Sequence, residues 1–471
     1  MRNRKSLYSN LIVVVLSLVL LFDVAQSVFH YANLSLDGDL VKIIAPCESY
    51  SVIFTDPFGF KAITQKIQYA GAGRISCHFM MQQWFTTIPS AINYFIEDPV
   101  RSVYYSSALF SGLLHVFFIA ICLLFVRLKN RFNFRTVLIL ALLASVFIQY
   151  QSFYHNFGII DLSITYSFFY IFPLLILITY LFPFYKRAQT GERKKMSLLS
   201  HALLFLIALF LSFSGPLIQP IVFILFIIYG YYYLKNSKKG DKVFLVHLSL
   251  LTFLCGYAFY VSQFNIESSA QLDLLSRYTL LLEGLFRILT GKLVWPIVIF
   301  GSVLNLILLT KSFPGSINTT LFKYLALFCT IYIFLLPLGG FRPYRPFIIR
   351  YDTFLPVTVI ACFIFLITTA KLLVLVREKE KVFYTAWIVV FFVLMIQPDL
   401  LFFKRGDNCQ FNSLIEIDQS DEKIIDVEPQ CQILTWDQKD FANPEIVDAI
   451  NTSLKQWNII EAQQSVNFIT K

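Results

Sequence analysis

Long apolar runs recur along almost the whole chain and constrain its fold more than any other feature. A run of roughly 17–25 apolar residues is long enough for a helix to cross the hydrocarbon core of a bilayer. Such runs lie near residues 11–29, 105–126, 136–151, 164–184, 198–214, 217–234, 243–262, 293–310, 322–338, 353–371 and 382–398. Only 14% of the residues are charged, whereas soluble domains carry about 25%. The sequence therefore predicts an all-α polytopic membrane protein with about eleven transmembrane helices.

The basic residues between these runs predict the orientation of the chain. Basic clusters occur at every second connection: "MRNRK", "RLKNRFNFR", "KRAQTGERKK", "KNSKKGDK" and "REKEK". Because Lys and Arg accumulate on the cytoplasmic side, these connections and the N-terminus are predicted to be cytoplasmic. In a bacterial inner membrane the C-terminus is then periplasmic. The net charge of +10 lies in these clusters, so it indicates membrane topology and no nucleic-acid partner.

Two domains follow from this topology. Residues 1–398 form the predicted transmembrane domain, and residues 399–471 form a small exoplasmic module. Loop 30–104 belongs to the first of these and is exported, and its apolar but interrupted second half predicts exoplasmic interfacial helices. The first apolar run also fits a cleaved signal peptide, although an uncleaved anchor is the preferred interpretation.

The cysteines agree with the predicted topology. Four of the eight lie inside apolar runs, and the other four lie in exported segments: Cys47, Cys77, Cys409 and Cys431. Cysteines in an oxidising compartment usually pair. Four cysteines allow three pairings, of which Cys47–Cys77 and Cys409–Cys431 are preferred.

An acidic pair follows the first run closely. Asp37 and Asp39 flank Gly38, and a carboxylate held near apolar surface just outside a membrane can act as a general base. The alternative is a plain turn, since Asp-Gly is a common turn signal. The two carboxylates can also bind Mg²⁺ or Mn²⁺, but the sequence contains no dedicated cluster of metal ligands, so a metal requirement stays open.

Three arginines fall within nine residues of the segment "GGFRPYRPFIIRYDTFLP", residues 339–356. Arg342, Arg345 and Arg350, followed by Tyr351, predict a binding site for a lipid phosphate, because arginine binds phosphate oxygens with two N–H groups and stays charged. The alternatives are contact with lipid headgroups and a salt bridge between Arg350 and Asp352.

Further polar and aromatic residues on the same predicted side are candidates for a substrate cavity. They are His155, Asn156, Gln219 and Trp84, with Trp295 as a second aromatic surface. Amides, hydroxyls and an indole face suit the recognition of a sugar. Asp23, near the outer end of the first run, is either a contact between helices or part of this cavity.

An inside N-terminus, an exported first loop with Asp37 and Asp39, interfacial helices and a late arginine-rich outer loop resemble the GT-C superfamily of integral membrane glycosyltransferases. The resemblance implies a donor sugar on a polyprenyl phosphate and an acceptor glycan, lipid or protein. It also implies Asp37 or Asp39 as the base and Arg342, Arg345 and Arg350 as the phosphate ligands. The absence of a Walker loop and of a GxGxxG motif agrees with a lipid-linked donor.

Three other functions stay open on the sequence alone. A polymerase or ligase of lipid-linked oligosaccharides would also have about a dozen spans and outer arginines. A transporter or flippase of lipid-linked glycans would place ionisable residues at the membrane midplane. A non-enzymatic envelope scaffold would use the C-terminal module for docking.

Overall fold

The computed structural model describes residues 2–128, 132–148, 158–160, 162–191, 195–236, 240–266, 272–290, 294–341, 347–401 and 408–469. Its helices are α1 (Arg2–Tyr31), α2 (Leu40–Ile44), α3 (Glu48–Thr55), α4 (Phe60–Gln65), α5 (Ile75–Ile96), α6 (Pro99–Arg127), α7 (Phe134–Ser145), α8 (Ile164–Tyr166), α9 (Phe172–Thr190), α10 (Leu198–Ser212), α11 (Ile218–Lys235), α12 (Lys242–Val261), α13 (Leu274–Thr290), α14 (Val294–Ser312), α15 (Thr319–Leu335), α16 (Tyr351–Leu375), α17 (Glu378–Leu401), α18 (Asn408–Asp418) and α19 (Pro444–Gln456).

The apolar runs are helical, which confirms the predicted all-α class. Within the described ranges, eight helices are long and apolar enough to cross a membrane. Helices α7 and α10 are apolar but have only 12 and 15 residues. Helix α17 covers the last predicted run. Every predicted run therefore overlaps a helix, while the number of membrane crossings stays a prediction.

Polar side chains join helices inside the apolar bundle. Asn305 of α14 donates to the hydroxyls of Thr368 and Thr369 of α16, at 3.1 and 2.9 Å, and accepts from the Tyr384 hydroxyl of α17 at 3.0 Å. A buried amide is costly without such partners, so these bonds fix the rotation of α16 against its neighbours. That rotation sets where the N-terminus of α16 points.

The two ends of the bundle differ in character. From Ile164 to Thr190 the chain is helical for 27 residues, a length of about 40 Å. At its far end, Arg187 donates to Asp241 just before α12, at 2.6 Å. At its near end lie the loop between α1 and α6 and the start of α16. We call this the loop end of the bundle.

The first loop folds into helices, as predicted. Helices α2, α3 and α4 are short, and α5 has 22 residues. Helix α6 then begins at a capped N-terminus, where the Asp98 carboxylate accepts from the Arg101 N–H at 2.8 Å and Pro99 occupies the first turn.

The C-terminal module packs directly on this loop. It consists of α18, α19 and two parallel strands, β1 (Ile424–Val427) and β2 (Ser465–Phe468), which pair from Ile424 with Ser465 to Val427 with Phe468. The buried Trp457 donates its indole N–H to the carbonyl of Phe85 in α5 at 3.0 Å. The module is therefore anchored to the transmembrane domain.

Gln410 is the second anchor of the module. Its carbonyl oxygen accepts from the Leu36 N–H at 2.7 Å and from the Tyr104 hydroxyl at 2.9 Å. Its amide donates to the carbonyls of Leu36 at 3.0 Å and Gln432 at 3.2 Å. One buried side chain thus joins α18 to the backbone that leads into Asp37.

The predicted disulfides have different outcomes. Cys409 and Cys431 are joined, with an S–S distance of 2.08 Å, which confirms that pair. The Cys47–Cys77 prediction is wrong, since both are free thiols. Cys77 is fully buried on α5 and donates to the carbonyl of Ser214 at 3.0 Å, whereas Cys47 lies beside Ser49. Burial of Cys77 on the inner face of α5 keeps its thiol from the loop surface.

The thiols offer a direct check. Maleimide should label Cys47 in the native protein, and it should label Cys77 only after denaturation, because burial raises the pKa of the Cys77 thiol to about 12. Cys409 and Cys431 should react only after reduction. Peptide mass spectrometry of the unreduced protein reads all four sites, and a linked Cys47–Cys77 peptide would contradict this assignment.

Candidate functional site

Asp37 lies at the centre of a hydrogen-bonded cluster at the loop end. One carboxylate oxygen accepts from the Ser163 hydroxyl at 2.7 Å and from the Thr165 N–H at 2.9 Å. The other accepts from the Thr165 hydroxyl at 2.6 Å and from the Asp39 N–H at 3.1 Å. A carboxylate has about four lone-pair positions. All of them are taken by protein donors, so Asp37 holds the start of α8 against the first loop.

Asp39 has a different environment from Asp37. It is half-buried, whereas Asp37 is buried. Asp37 receives the Asp39 N–H and so fixes the backbone of the turn. The two carboxylates that look alike in the sequence are therefore held in different ways.

This geometry also bears on a metal. Asp37 and Asp39 do not form a chelating pair, because N–H and O–H donors already occupy the oxygens of Asp37. Within the described ranges no group of three or more His, Cys, Asp and Glu side chains is arranged to hold a metal ion.

Arg350 precedes the first residue of α16 and reaches the same cluster. Its guanidinium binds the buried Asp352 carboxylate with two N–H groups, one of them Nε at 2.7 Å from Oδ1. The guanidinium carbon lies 4.6 Å from the centroid of the Tyr166 ring. Burial alone lowers the pKa of Arg350, but the hydrogen bond and charge of Asp352 outweigh it and raise that pKa above its ordinary value. Arg350 is a permanent cation, neutralised by Asp352.

Tyr166 is the residue on which these groups converge. It ends the short helix α8, which Ser163 caps and Asp37 holds, and its ring lies beneath Arg350. A π-helical turn, Ser167–Ile171, follows directly. Such turns are energetically unfavourable and occur often at functional sites. No sequence motif marked Tyr166, Ser163 or Thr165, because single hydroxyl residues at the start of an apolar run are common.

The C-terminal module supplies the last part of the cluster. Gly38 lies against the backbone of Thr435 and Trp436 so closely that a Cβ would lie 2.3 Å from the Trp436 nitrogen. Only glycine fits here. The Trp436 indole stacks on Tyr166, with ring centroids 6.1 Å apart and planes 25° from parallel. The cluster thus joins four separate segments of the chain.

The other predicted site residues fall elsewhere or outside the described ranges. His155, Asn156, Arg342 and Arg345 lie outside them, and Tyr351 is described only as the first residue of α16.

The remaining candidates of the predicted cavity have structural positions. Trp84 donates to the carbonyl of Ser106 at 3.0 Å and packs edge-on against Phe110, so it joins α5 to α6. Trp295 is buried against Phe354. Gln219 is buried in the first turn of α11.

A second polar group lies within the helical bundle. The Ser145 hydroxyl donates to the Asp23 carboxylate, and His115 Nε2 lies 2.8 Å from the same hydroxyl. All three side chains are buried, on α1, α6 and α7. His115 Nδ1 has no hydrogen-bond partner in the described part of the chain. Asp23 is therefore a contact between helices, one of the two roles left open above.

Comparison with known proteins adds no family. No protein-family model matches the chain, and no curated protein matches it. The class that the structure defines is a helical, membrane-type protein with a polar cluster at one end. The resemblance to GT-C enzymes therefore stays a prediction from the sequence.

The hydrogen bonds predict unequal effects of removing the two carboxylates. Asp37→Asn places an amide N–H against donors of Ser163 or Thr165, and a buried unsatisfied donor costs about 1–3 kcal/mol. The melting temperature in detergent should fall measurably. Asp39→Asn is the matched control and should leave it nearly unchanged. Equal shifts for both variants would refute the structural role of Asp37.

Proposed function

We propose that the protein is a membrane glycosyltransferase that transfers a sugar from a polyprenyl-phosphate donor to an acceptor glycan, lipid or protein at the exoplasmic face. The observation that carries the proposal is that the Asp37–Asp39 turn and Arg350 lie at the same short helix, α8: Asp37 accepts from Thr165, and the Arg350 guanidinium lies over the ring of the next residue, Tyr166. An acidic residue of the first loop and a basic residue of a late loop thus border one site, although more than 300 positions separate them in the chain.

Asp39 is the proposed general base. It accepts the proton of the acceptor hydroxyl, whose oxygen attacks the anomeric carbon of the donor. The bond between that carbon and the phosphate oxygen breaks, and the polyprenyl phosphate leaves with the bonding electrons. Asp37 acts as a positioning residue, because its four hydrogen bonds hold the turn and α8 in register.

Arg342 and Arg345 are the proposed phosphate ligands, with the Tyr351 hydroxyl as a further donor. Arg350 is already neutralised by Asp352, so the excess positive charge of the segment comes from the two earlier arginines. Arg350 is proposed to fix Tyr166 and the start of α16 beside them. Charged hydrogen-bond donors placed where the phosphate leaves stabilise the transition state.

The location completes the proposal. We assign the chain to a bacterial inner membrane with eleven crossings, a cytoplasmic N-terminus and a periplasmic C-terminus. The charge pattern of the connections supports this orientation. An exoplasmic site has no access to cytoplasmic nucleotide sugars, so an activated lipid-linked donor fits the chemistry. A polymerase or ligase acting on lipid-linked oligosaccharides would use the same groups with a diphosphate leaving group.

The test is donor cleavage by the purified protein. Synthetic short-chain polyprenyl-phosphate hexoses and pentoses are supplied, together with methyl glycosides as acceptors, to protein in nanodiscs, and released carrier phosphate is measured. Asp39→Asn should lower the rate by about 10²–10⁴-fold. Arg342→Ala and Arg345→Ala should each lower it by about 10²–10³-fold.

The matched control is Arg101→Lys, which changes an exposed loop-end arginine that pairs with Asp98 outside the cluster. It should retain full activity. Release that is equal in the wild type and in Asp39→Asn would exclude the base, and no release from any donor would exclude the enzyme. The assay is repeated with EDTA, and loss of carrier-phosphate release would show that a divalent cation is required.

One observation favours a second candidate, a transporter or flippase of lipid-linked glycans. Asp23 and His115 are ionisable and buried within the bundle, joined through Ser145. Ionisable groups in a membrane interior often line transport pathways. If the protein is a transporter, Asp23→Asn should abolish flux of a fluorescent lipid-linked sugar in proteoliposomes, and His115→Gln should do so as well. The transferase proposal expects no flux in the wild type.

A further inference from the structure

Trp436 differs from Trp84 and Trp295, the two tryptophans that the sequence predicts for a substrate cavity. Trp84 and Trp295 are engaged in the packing of helices. Trp436 is 42% exposed, although it stacks on Tyr166 and its backbone lies against Gly38. A large aromatic surface is thus presented to solvent directly beside the Asp37–Asp39 turn.

The segment that carries Trp436 is held at an energetic cost. Leu434 has a positive φ of 57°, which is unfavourable for a residue with a branched side chain. The neighbouring Thr435 is buried, and its hydroxyl has no hydrogen-bond partner among the described residues. Strained residues and unpaired polar groups persist where the surrounding structure enforces them, and they cluster at functional sites.

Three features enforce this conformation. The Cys409–Cys431 disulfide closes the loop that leads to the segment. Gln410 fixes Gln432 and Leu36 relative to each other. Leu434 itself is fully buried in the core of the module. The backbone that leads to Trp436 is therefore constrained, and the indole packs on Tyr166. Such preorganisation lowers the entropic cost of binding a ligand.

We propose that Trp436 is a binding subsite for a pyranose ring, and that the C-terminal module thereby completes the site. The C–H bonds on one face of a pyranose carry partial positive charge, and the face of an indole carries partial negative charge, so the two surfaces attract and exclude water. This inference rests on the proposed function, because it places the sugar beside Asp39 for transfer.

The position suits the acceptor more than the donor phosphate. Trp436 contacts Gly38, the residue between the two carboxylates, whereas the proposed phosphate ligands belong to the segment before α16. A ring stacked on Trp436 would hold a hydroxyl near Asp39. The specificity of the site would then depend on which pyranose face has its C–H bonds exposed.

Saturation-transfer NMR with the full-length protein in nanodiscs tests the subsite. The probes are methyl glycosides of glucose, galactose, mannose and N-acetylglucosamine. At least one should receive saturation from the wild type, and Trp436→Ala should weaken its binding by about 3- to 10-fold. Trp436→Phe keeps an aromatic face and should restore most of the affinity.

The control variant is Tyr94→Ala, which removes another exposed aromatic side chain of the loop end. It should not change the NMR signal. Intact formation of the Cys409–Cys431 disulfide in each variant, read by mass spectrometry, shows that the module is folded. A signal absent from the wild type, or unchanged in a folded Trp436→Ala, would overturn the subsite.

A lipid-interface role for Trp436 gives another result. The fluorescence of Trp436 is obtained by subtracting the emission of Trp436→Phe from that of the wild type. If brominated lipids quench this emission, Trp436 lies in the lipid, which would overturn the sugar subsite.

The experiments distinguish failure of the transferase proposal from failure of the Trp436 subsite. Glycoside binding that depends on Trp436 without release of carrier phosphate would sustain the subsite and overturn the transferase. Release of carrier phosphate that is insensitive to Trp436→Ala, in both rate and acceptor KM, would overturn the subsite alone.

Discussion

The carboxylate of Asp37 is the interaction on which the loop end depends. A charge at the edge of an apolar bundle is stable only when hydrogen bonds replace the water it loses. Ser163, Thr165 and the Asp39 N–H supply these bonds. The same bonds tie the first loop to α8, place Tyr166 beneath Arg350, and hold Gly38 where the C-terminal module packs on it.

The cluster draws its parts from distant points in the chain. The first loop, the start of α8, the segment before α16 and the C-terminal module each contribute. Bringing them together costs conformational entropy of the chain. This cost is offset by the apolar packing of the helices, by the hydrogen bonds of Gln410 and by the Cys409–Cys431 disulfide. The module is therefore part of the site's construction, whereas the charge pattern alone suggested only a separate exoplasmic unit.

The charge balance of the cluster also limits what each group can do. Asp352 neutralises Arg350, and donors saturate Asp37, so neither is well placed to act alone on a substrate. Asp39 is half-buried, next to Gly38 in the same turn. Of two aspartates that spacing could not tell apart, packing makes one a structural residue and the other the better candidate for chemistry.

The sequence by itself determined the helices, because the length of an apolar run and the charges between runs are local properties that a bilayer requires. It also favoured the Cys409–Cys431 pair and offered the pairing of Arg350 with Asp352 as one alternative, because the partners of each pair are close in the chain. Only the tertiary structure decided that Cys77 is buried away from Cys47, that Arg350 lies over Tyr166, and that Trp436 stacks on Tyr166 while its backbone contacts Gly38. These relations depend on how helices rotate and pack, which no single segment encodes.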